Sequence, residues 1–185
     1  PKMDERVTIL SPFYTDYGYN CNIGSDSFIN HHAYLMDCAP ITLGSHCFIG
    51  PNCGMYTAVH AIIAEERNLG LEKALPITIG DNVWMGGDVT ILPGITIGGN
   101  TIIGAGSVVI EEVPPNCTVV GVPGRVVKRD NIRTPQDDMD QVHLPDPVKE
   151  DITVLQHENA ELVNRVLDLE KEVRILSAGA GASQE

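Results

Sequence analysis

From residue 77 to about 109, large aliphatic side chains recur every six residues: Ile79, Met85, Ile91, Ile97, Ile103 and Val109. Four positions after the first five of them stands a smaller residue that can also pack inward, namely Val83, Val89, Ile95, Thr101 and Ser107. An α-helix repeats every 3.6 residues and cannot keep a six-residue apolar period on one face. A half-exposed sheet calls for strict alternation and tight hairpins. A left-handed parallel β-helix takes six residues per face and about eighteen per triangular coil, so each member of both series reaches an equivalent inward position. The Gly, Asn and Asp residues between them suit the bends between faces, where left-handed backbone is needed. The pattern predicts an all-β chain built as a left-handed parallel β-helix of hexapeptide repeats.

The period is weaker upstream. Residues 1–16 read as an extended lead-in, and hexads begin at Asn22-Ile23-Gly24 and continue through Ile29 and Leu35. An extra residue near Pro40 shifts the phase before Leu43, Ile49 and Met55 resume it. Residues 57–76 break the period and read as a loop extruded from one corner, which a solenoid tolerates because each coil contacts only its neighbours. Val119 and Val122 are expected to close the last of four to five coils, a prism about 20 Å tall at strand spacing. The β-helix domain is thus expected over 1–129.

Residues 130–150 are acidic and punctuated by proline, as in a linker. From 151 to 176 the period changes to seven. Leu155, Leu162, Leu169 and Leu176 form one series, and Ile152, Asn159, Val166 and Val173 form another three residues ahead. This is an a/d heptad helix with Leu at every d, with Arg165 at g placed to reach Glu170 at e of a neighbouring strand. It predicts a self-associating coil, the alternative being an amphipathic helix docked on its own β-helix. Residues 177–185 are expected to be disordered.

Charge narrows the class. The chain of 185 residues has a net charge of −13, divided as −5 over 1–129 and −8 over 130–185. Neither part attracts nucleic acid. No run of 18 apolar residues offers a membrane span, and no signal-peptide pattern opens the chain. The chain starts at Pro1, so upstream residues are expected to be missing from it. The five cysteines, at 21, 38, 47, 53 and 117, are odd in number and include no CxxC pair. They read as reduced core residues, in keeping with a cytoplasmic location.

A bare β-helix has no chemistry, so the interruption draws attention. It carries His60, and an imidazole can take a proton from a hydroxyl near neutral pH. Around it stand YGYNCNIG, FINHHAYLMDCAPITLG, YTAVH followed by EERN, PITIGDNVWMGG and GVPGRVVK. Over about residues 12–129 these runs resemble, in order and spacing, the maltose and galactoside O-acetyltransferases of the hexapeptide-repeat acyltransferases.

The resemblance implies a homotrimer, with acetyl-CoA as co-substrate in the groove between adjacent subunits, a sugar as small-molecule acceptor, and no metal. It implies His60 as catalytic base and Asn30, Asp37 and Trp84 as acceptor-side residues. Gly86, Gly87 and Ala105 would lie along the pantetheine arm, and Arg125 and Lys128 near the coenzyme phosphates. The basic group at Arg125-Lys128-Arg129 fits phosphate chemistry independently. Glu65 matches an acidic loop position without an assigned role, while His31, His32 and His46 read as surface or corner residues. The chain also departs from the family. Ile110-Glu111 stand where Thr-Lys is usual, the N-terminal helical segment that helps cover the acceptor pocket is largely absent, and the heptads lie outside the usual pattern.

The expected reaction is direct acetyl transfer to a sugar hydroxyl, without an acyl-enzyme on Cys38 or Cys53. The alternatives are an amine or xenobiotic alcohol as acceptor, a metalloenzyme with zinc between subunits, and a non-catalytic scaffold. Assembly is expected as a trimer, with pairing of two trimers through the C-terminal helix as a further arrangement.

Overall fold

The computed structural model describes residues 1–129 and 147–181, which fall into two units dividing at Pro147. The first unit is a left-handed parallel β-helix with three faces. One face stacks Lys2–Met3, Cys21–Ile23, Ile41–Leu43, Ile77–Ile79 and Thr96–Ile97. The second stacks Thr8–Ile9, Phe28–Ile29, Phe48–Ile49, Trp84–Met85, Ile102–Ile103 and Cys117–Val120. The third stacks Phe13–Thr15, Ala33–Met36, Gly54–Tyr56, Thr90–Ile91 and Val108–Val109. All these neighbours pair in parallel. Arg125–Arg129 then returns antiparallel along Cys117–Val120.

The hexad residues form the inward columns. Ile29, Ile49, Met85, Ile103 and Val119 stack on the second face, and Leu35, Met55, Ile91 and Val109 on the third, none more than 1% exposed. Each such burial stabilises by about 1.5–3 kcal/mol before the entropy of ordering is counted. Val83, Val89, Thr101 and Ser107 fill the corners behind them and are fully buried. The two hydroxyls are satisfied there, Thr101 donating to the Pro114 carbonyl at 3.3 Å and Ser107 to the Gly104 carbonyl at 2.7 Å. All five cysteines are free thiols, four of them buried.

Strand register shows how coil length varies. Ile9, Ile29 and Ile49 pair at intervals of twenty residues, Ile49 with Met85 at thirty-six, Met85 with Ile103 at eighteen, and Ile103 with Val119 at sixteen. The step from first to second face is six residues in every coil, as from Met3 to Ile9 and from Ile97 to Ile103. The variation falls at the third corner, where the chain passes from third face to first. There the step is eight residues from Thr15 to Ile23 and from Leu35 to Leu43, twenty-four from Met55 to Ile79, six from Ile91 to Ile97, and four from Val109 to Val113.

Three sequence expectations are corrected by this register. The lead-in 1–16 belongs to the first coil, which begins at Lys2. The phase shift near Pro40 is two residues and has a twin between Thr15 and Ile23. Val122 is 71% exposed and closes nothing; Gly121, at φ 98°, turns the chain back so that Arg125–Arg129 caps the second face.

The second unit is one helix, Pro147–Gly181, of 35 residues. It starts four residues before the expected boundary and continues into the stretch expected to be disordered. The rest of the expected linker, 130–146, and residues 182–185 lie outside the described residues. No helix among the described residues is long and apolar enough to cross a membrane.

A candidate active site at the irregular corner

The third corner carries the chemistry. In the interrupted coil, Ala58–His60 leaves the prism and returns as Glu72–Ala74, an antiparallel hairpin that pairs His60 with Glu72. A short helix, Ala64–Asn68, fills its tip, and Arg67 anchors it by donating to the carbonyls of Ala61 and Ile62 at 3.1 and 3.0 Å. Glu65 lies in the first turn of that helix, exposed. His60 Nε2 lies 3.7 Å from Glu72 Oε2, with both side chains more than half exposed.

Below the hairpin, the two eight-residue steps bring further groups to the same corner. Tyr34 donates its hydroxyl to Asp16 Oδ1, and Cys38 donates its thiol to Asp16 Oδ2 at 3.4 Å. The hydrogen bond to Asp16 pushes the Tyr34 phenol up to about 12. Burial raises the Cys38 thiol, helped by Asp16 and by the charge of Glu72, the same carboxylate that faces His60. Cys38 therefore shares a corner with His60, but as a protonated thiol it is a poor nucleophile. Cys53 is buried, donates to the Gly86 carbonyl at 3.1 Å and is pushed up by burial to about 11. Tyr56 packs edge-on against Tyr34, with ring centroids 5.9 Å apart.

Asp37 stands at this corner too, fully buried. Its Oδ1 accepts from the Tyr17 amide at 2.8 Å and its Oδ2 from the Asn20 amide at 3.1 Å, while Asn20 Nδ2 donates to its carbonyl at 2.8 Å. Burial alone would raise its pKa; backbone N–H donors from Tyr17, Gly18, Asn20 and Asp37 itself outweigh this and hold it below the ordinary carboxylate range. Here Asp37 secures the eight-residue step.

The remaining predicted residues lie elsewhere on the prism. Asn30, Gly86, Gly87 and Ala105 sit at the corner between second and third faces. The Asn30 amide donates to Ile49 O at 3.0 Å and the Gly86 amide to Ile103 O at 2.8 Å, which stacks this corner coil on coil. A Cβ on Gly86 would fall 2.6 Å from the Ala105 nitrogen, so that position takes no side chain, while the Ala105 methyl and the Pro51 ring lie beside the two glycines. Trp84 projects from the second face in register with Phe48 and Ile102. Arg125 and Lys128 are exposed on the antiparallel return strand. His32 and His46 are left-handed corner residues at φ 61° and 57°. One chain thus places His60 and Asp37 at one corner and Asn30, Gly86, Gly87 and Ala105 at another.

Asp16, Tyr34 and Glu72 escaped the sequence reading. The signal for them was the twenty-residue period, which stacks Tyr14 on Tyr34 and places Asp16 next to them. Among the described residues, no group of three or more His, Cys, Asp or Glu side chains is arranged to hold a metal.

Comparison with known proteins bears on this geometry. Residues 76–111 match the family model described as bacterial transferase hexapeptide (six repeats), and residues 40–60 match that of the hexapeptide repeat of succinyl-transferase. A Saccharomyces cerevisiae protein assigned provisionally as an acetyltransferase is 50% identical over 125 residues, which are 68% of this chain and 64% of that protein. The match therefore spans less than two thirds of that relative's length. The solved maltose O-acetyltransferase of Clostridium difficile 630 is 46% identical, with a TM-score of 0.67 over 68% of this chain and 67% of its own. A galactoside acetyltransferase solved with coenzyme A is 36% identical, with a TM-score of 0.66 over 75% and 70% of the two chains.

Proposed function

The chain belongs to the hexapeptide-repeat acetyltransferases, and we propose that it moves the acetyl group of acetyl-CoA to a hydroxyl of a sugar by direct transfer, with His60 as general base. The observation that carries this reading is the pairing of His60 with Glu72 on the hairpin that leaves the coil. His60 takes the acceptor's hydroxyl proton as that oxygen attacks the thioester carbonyl, and Glu72 offsets the charge of the imidazolium. When the tetrahedral intermediate collapses, the carbon–sulfur bond breaks and the thiolate leaves with the proton returned from His60. General-base work of this kind contributes about 10²–10⁴-fold. Asp16, steadied by Tyr34 and Cys38, supplies a carboxylate that can accept a hydrogen bond from a second acceptor hydroxyl.

The donor fits the strip at Gly86, Gly87 and Ala105, where a chain of methylenes and amides can lie against backbone flanked by small side chains, the Ala105 methyl and the Pro51 ring. Arg125 and Lys128 supply positive charge for phosphates. Because this strip and His60 occupy different corners of one prism, the working site takes its base from one copy and its coenzyme strip from the next. That requirement supports a closed ring of identical subunits, a homotrimer for a three-sided prism.

The test is acetyl-CoA turnover by the purified chain, followed as free thiol against maltose, glucose, a galactoside and a panel of amines. Thiol release that depends on a sugar, with an acetyl product cleaved by hydroxylamine as an ester is, is the expected result. Turnover with amines alone, or none with any acceptor, overturns the reading. Light scattering checks the assembly, with a mass in multiples of three chains expected.

A further inference from the structure

The helix Pro147–Gly181 presents an apolar stripe that the acetyl-transfer reading does not use. Every described residue from Asp151 to Lys171 is exposed. Ile152, Leu155, Leu162, Val166, Leu169 and Val173 are between 43% and 66% exposed, and with Asn159 between Leu155 and Leu162 an alternating spacing of three and four residues sets them on one face. Elsewhere on the helix, His157 Nε2 lies 3.4 Å from Glu161 and Lys171 Nζ lies 3.2 Å from Asp168. Those contacts tie turns together within the helix and leave the stripe bare. A contiguous apolar stripe of this length in water marks an interaction surface.

We infer that the stripe is covered by the same stripe of a second copy of this chain, running parallel and in register. Three features select a copy of itself over another occupant. The apolar series keeps a strict seven-residue repeat, which meets a supercoiled helix of the same repeat along its whole length; a face made for a globular groove follows 3.6 instead. Asn159 stands at an a position within the stripe. In a parallel, in-register pair its amide meets its own counterpart and the two hydrogen-bond. In an antiparallel or shifted pair, or in an apolar groove, it is buried against aliphatic carbon with its polar atoms unmet. Arg165 at g and Glu170 at e of the following heptad face each other across a parallel interface as opposite charges. The family models match residues 40–60 and 76–111, so this device lies outside the matched repeats and does not rest on the acetyl-transfer reading.

The test uses the full chain with one new thiol on the helix, Asn159→Cys in one variant and His157→Cys in the other. Both are oxidised mildly and resolved on non-reducing gels beside the unaltered chain, which sets the baseline for the native cysteines. In a parallel, in-register pair the thiols at 159 face each other, while those at 157 point away. Cross-linking at 159 is expected to be at least about tenfold faster than at 157, because the pair holds the thiols at high effective concentration. Adding Leu162→Asp to Asn159→Cys is expected to abolish that advantage, with thermal unfolding of the β-helix unchanged. Equal rates at the two positions, or an advantage that survives Leu162→Asp, overturns the inference and leaves the stripe to the chain's own β-helix or to a different protein.

Discussion

Two corners of the prism obey opposite rules. Between the first and second faces every coil turns in the same way, with Arg6, Asp26, His46, Asn82, Asn100 and Asn116 all left-handed at φ between 57° and 59°. Side chains there stack into ladders. Arg6 donates to both carboxylate oxygens of Asp26, and Asn100 Nδ2 donates to Asn116 Oδ1 at 3.1 Å. Between the third and first faces no two neighbouring steps beyond the first pair have the same length, and that corner holds Asp16, Cys38, His60 and Glu72. A solenoid's coils contact only their neighbours, so one corner can vary while the other two keep the stack in register. Regularity carries stability, and departure from it makes room for a site.

Removing the imidazole breaks this comparison most sharply. His60→Ala is expected to lower kcat/KM for acetyl transfer by about 10²–10⁴-fold. Because the side chain is exposed on the hairpin, the melting temperature should stay within a degree or two of the parent. Steady-state kinetics beside a thermal melt separates the two effects. An equally active variant removes His60 from the role of base, and a large drop in melting temperature would make the irregular corner structural.

How much of this was legible in the chain follows the same division. Ile79 to Val109 announced the fold because their period is set by backbone geometry alone. The first coils hid part of theirs: steps of eight residues at one corner give a period of twenty, so the hexads through Ile29 and Ile49 showed with a shifted phase, while Ile9, which stacks directly on Ile29, passed for part of an extended lead-in. His60 could be singled out because it sits where the period fails. Asp16 and Tyr34 could not, since a hydrogen bond between residues eighteen apart becomes visible only when coil length is known. The division of Asn30, Gly86, Gly87 and Ala105 from His60 was likewise invisible, because a motif lists residues without saying which edge of a prism they occupy.

A smaller effect is expected from Asp37, the carboxylate that organises the irregular corner. Its folded pKa is depressed, so its contribution is fully present above the ordinary carboxylate pKa and is lost as pH falls through the lower folded value. Asp37→Asn leaves backbone donors facing an amide and is expected to cost about 1–3 kcal/mol at neutral pH. The gap from the parent should narrow on acidification below about pH 4. Asp26 at the regular corner is also depressed, by its hydrogen bond to Arg6, but that pair is exposed. Salt should therefore weaken its contribution while leaving that of Asp37 nearly untouched. Urea titrations at several pH values, with and without salt, read both.

The smallest effects come from substitutions that load the same backbone strain onto the two kinds of region. Asn82 at the regular corner has φ 58°, and Gly70, just past the helix at the tip of the extruded segment, has φ 73°. Alanine at either position costs about 1 kcal/mol for holding a left-handed conformation. A Cβ at Gly70 meets nothing within 4 Å, so sterics add nothing there. The difference lies in where the cost is felt. The Asn82 amide donates to Ser45 O at 2.9 Å, coil to coil, so Asn82→Ala must strain the stack and lower its melting temperature by a few degrees. Gly70 belongs to an excursion whose opening leaves the coils paired, so Gly70→Ala should leave the melt unchanged and instead speed amide exchange between residues 58 and 74. Should Gly70→Ala lower the global melt as much as Asn82→Ala does, hairpin and coils unfold as one unit, and the irregular corner is held by the cooperativity it was thought to escape.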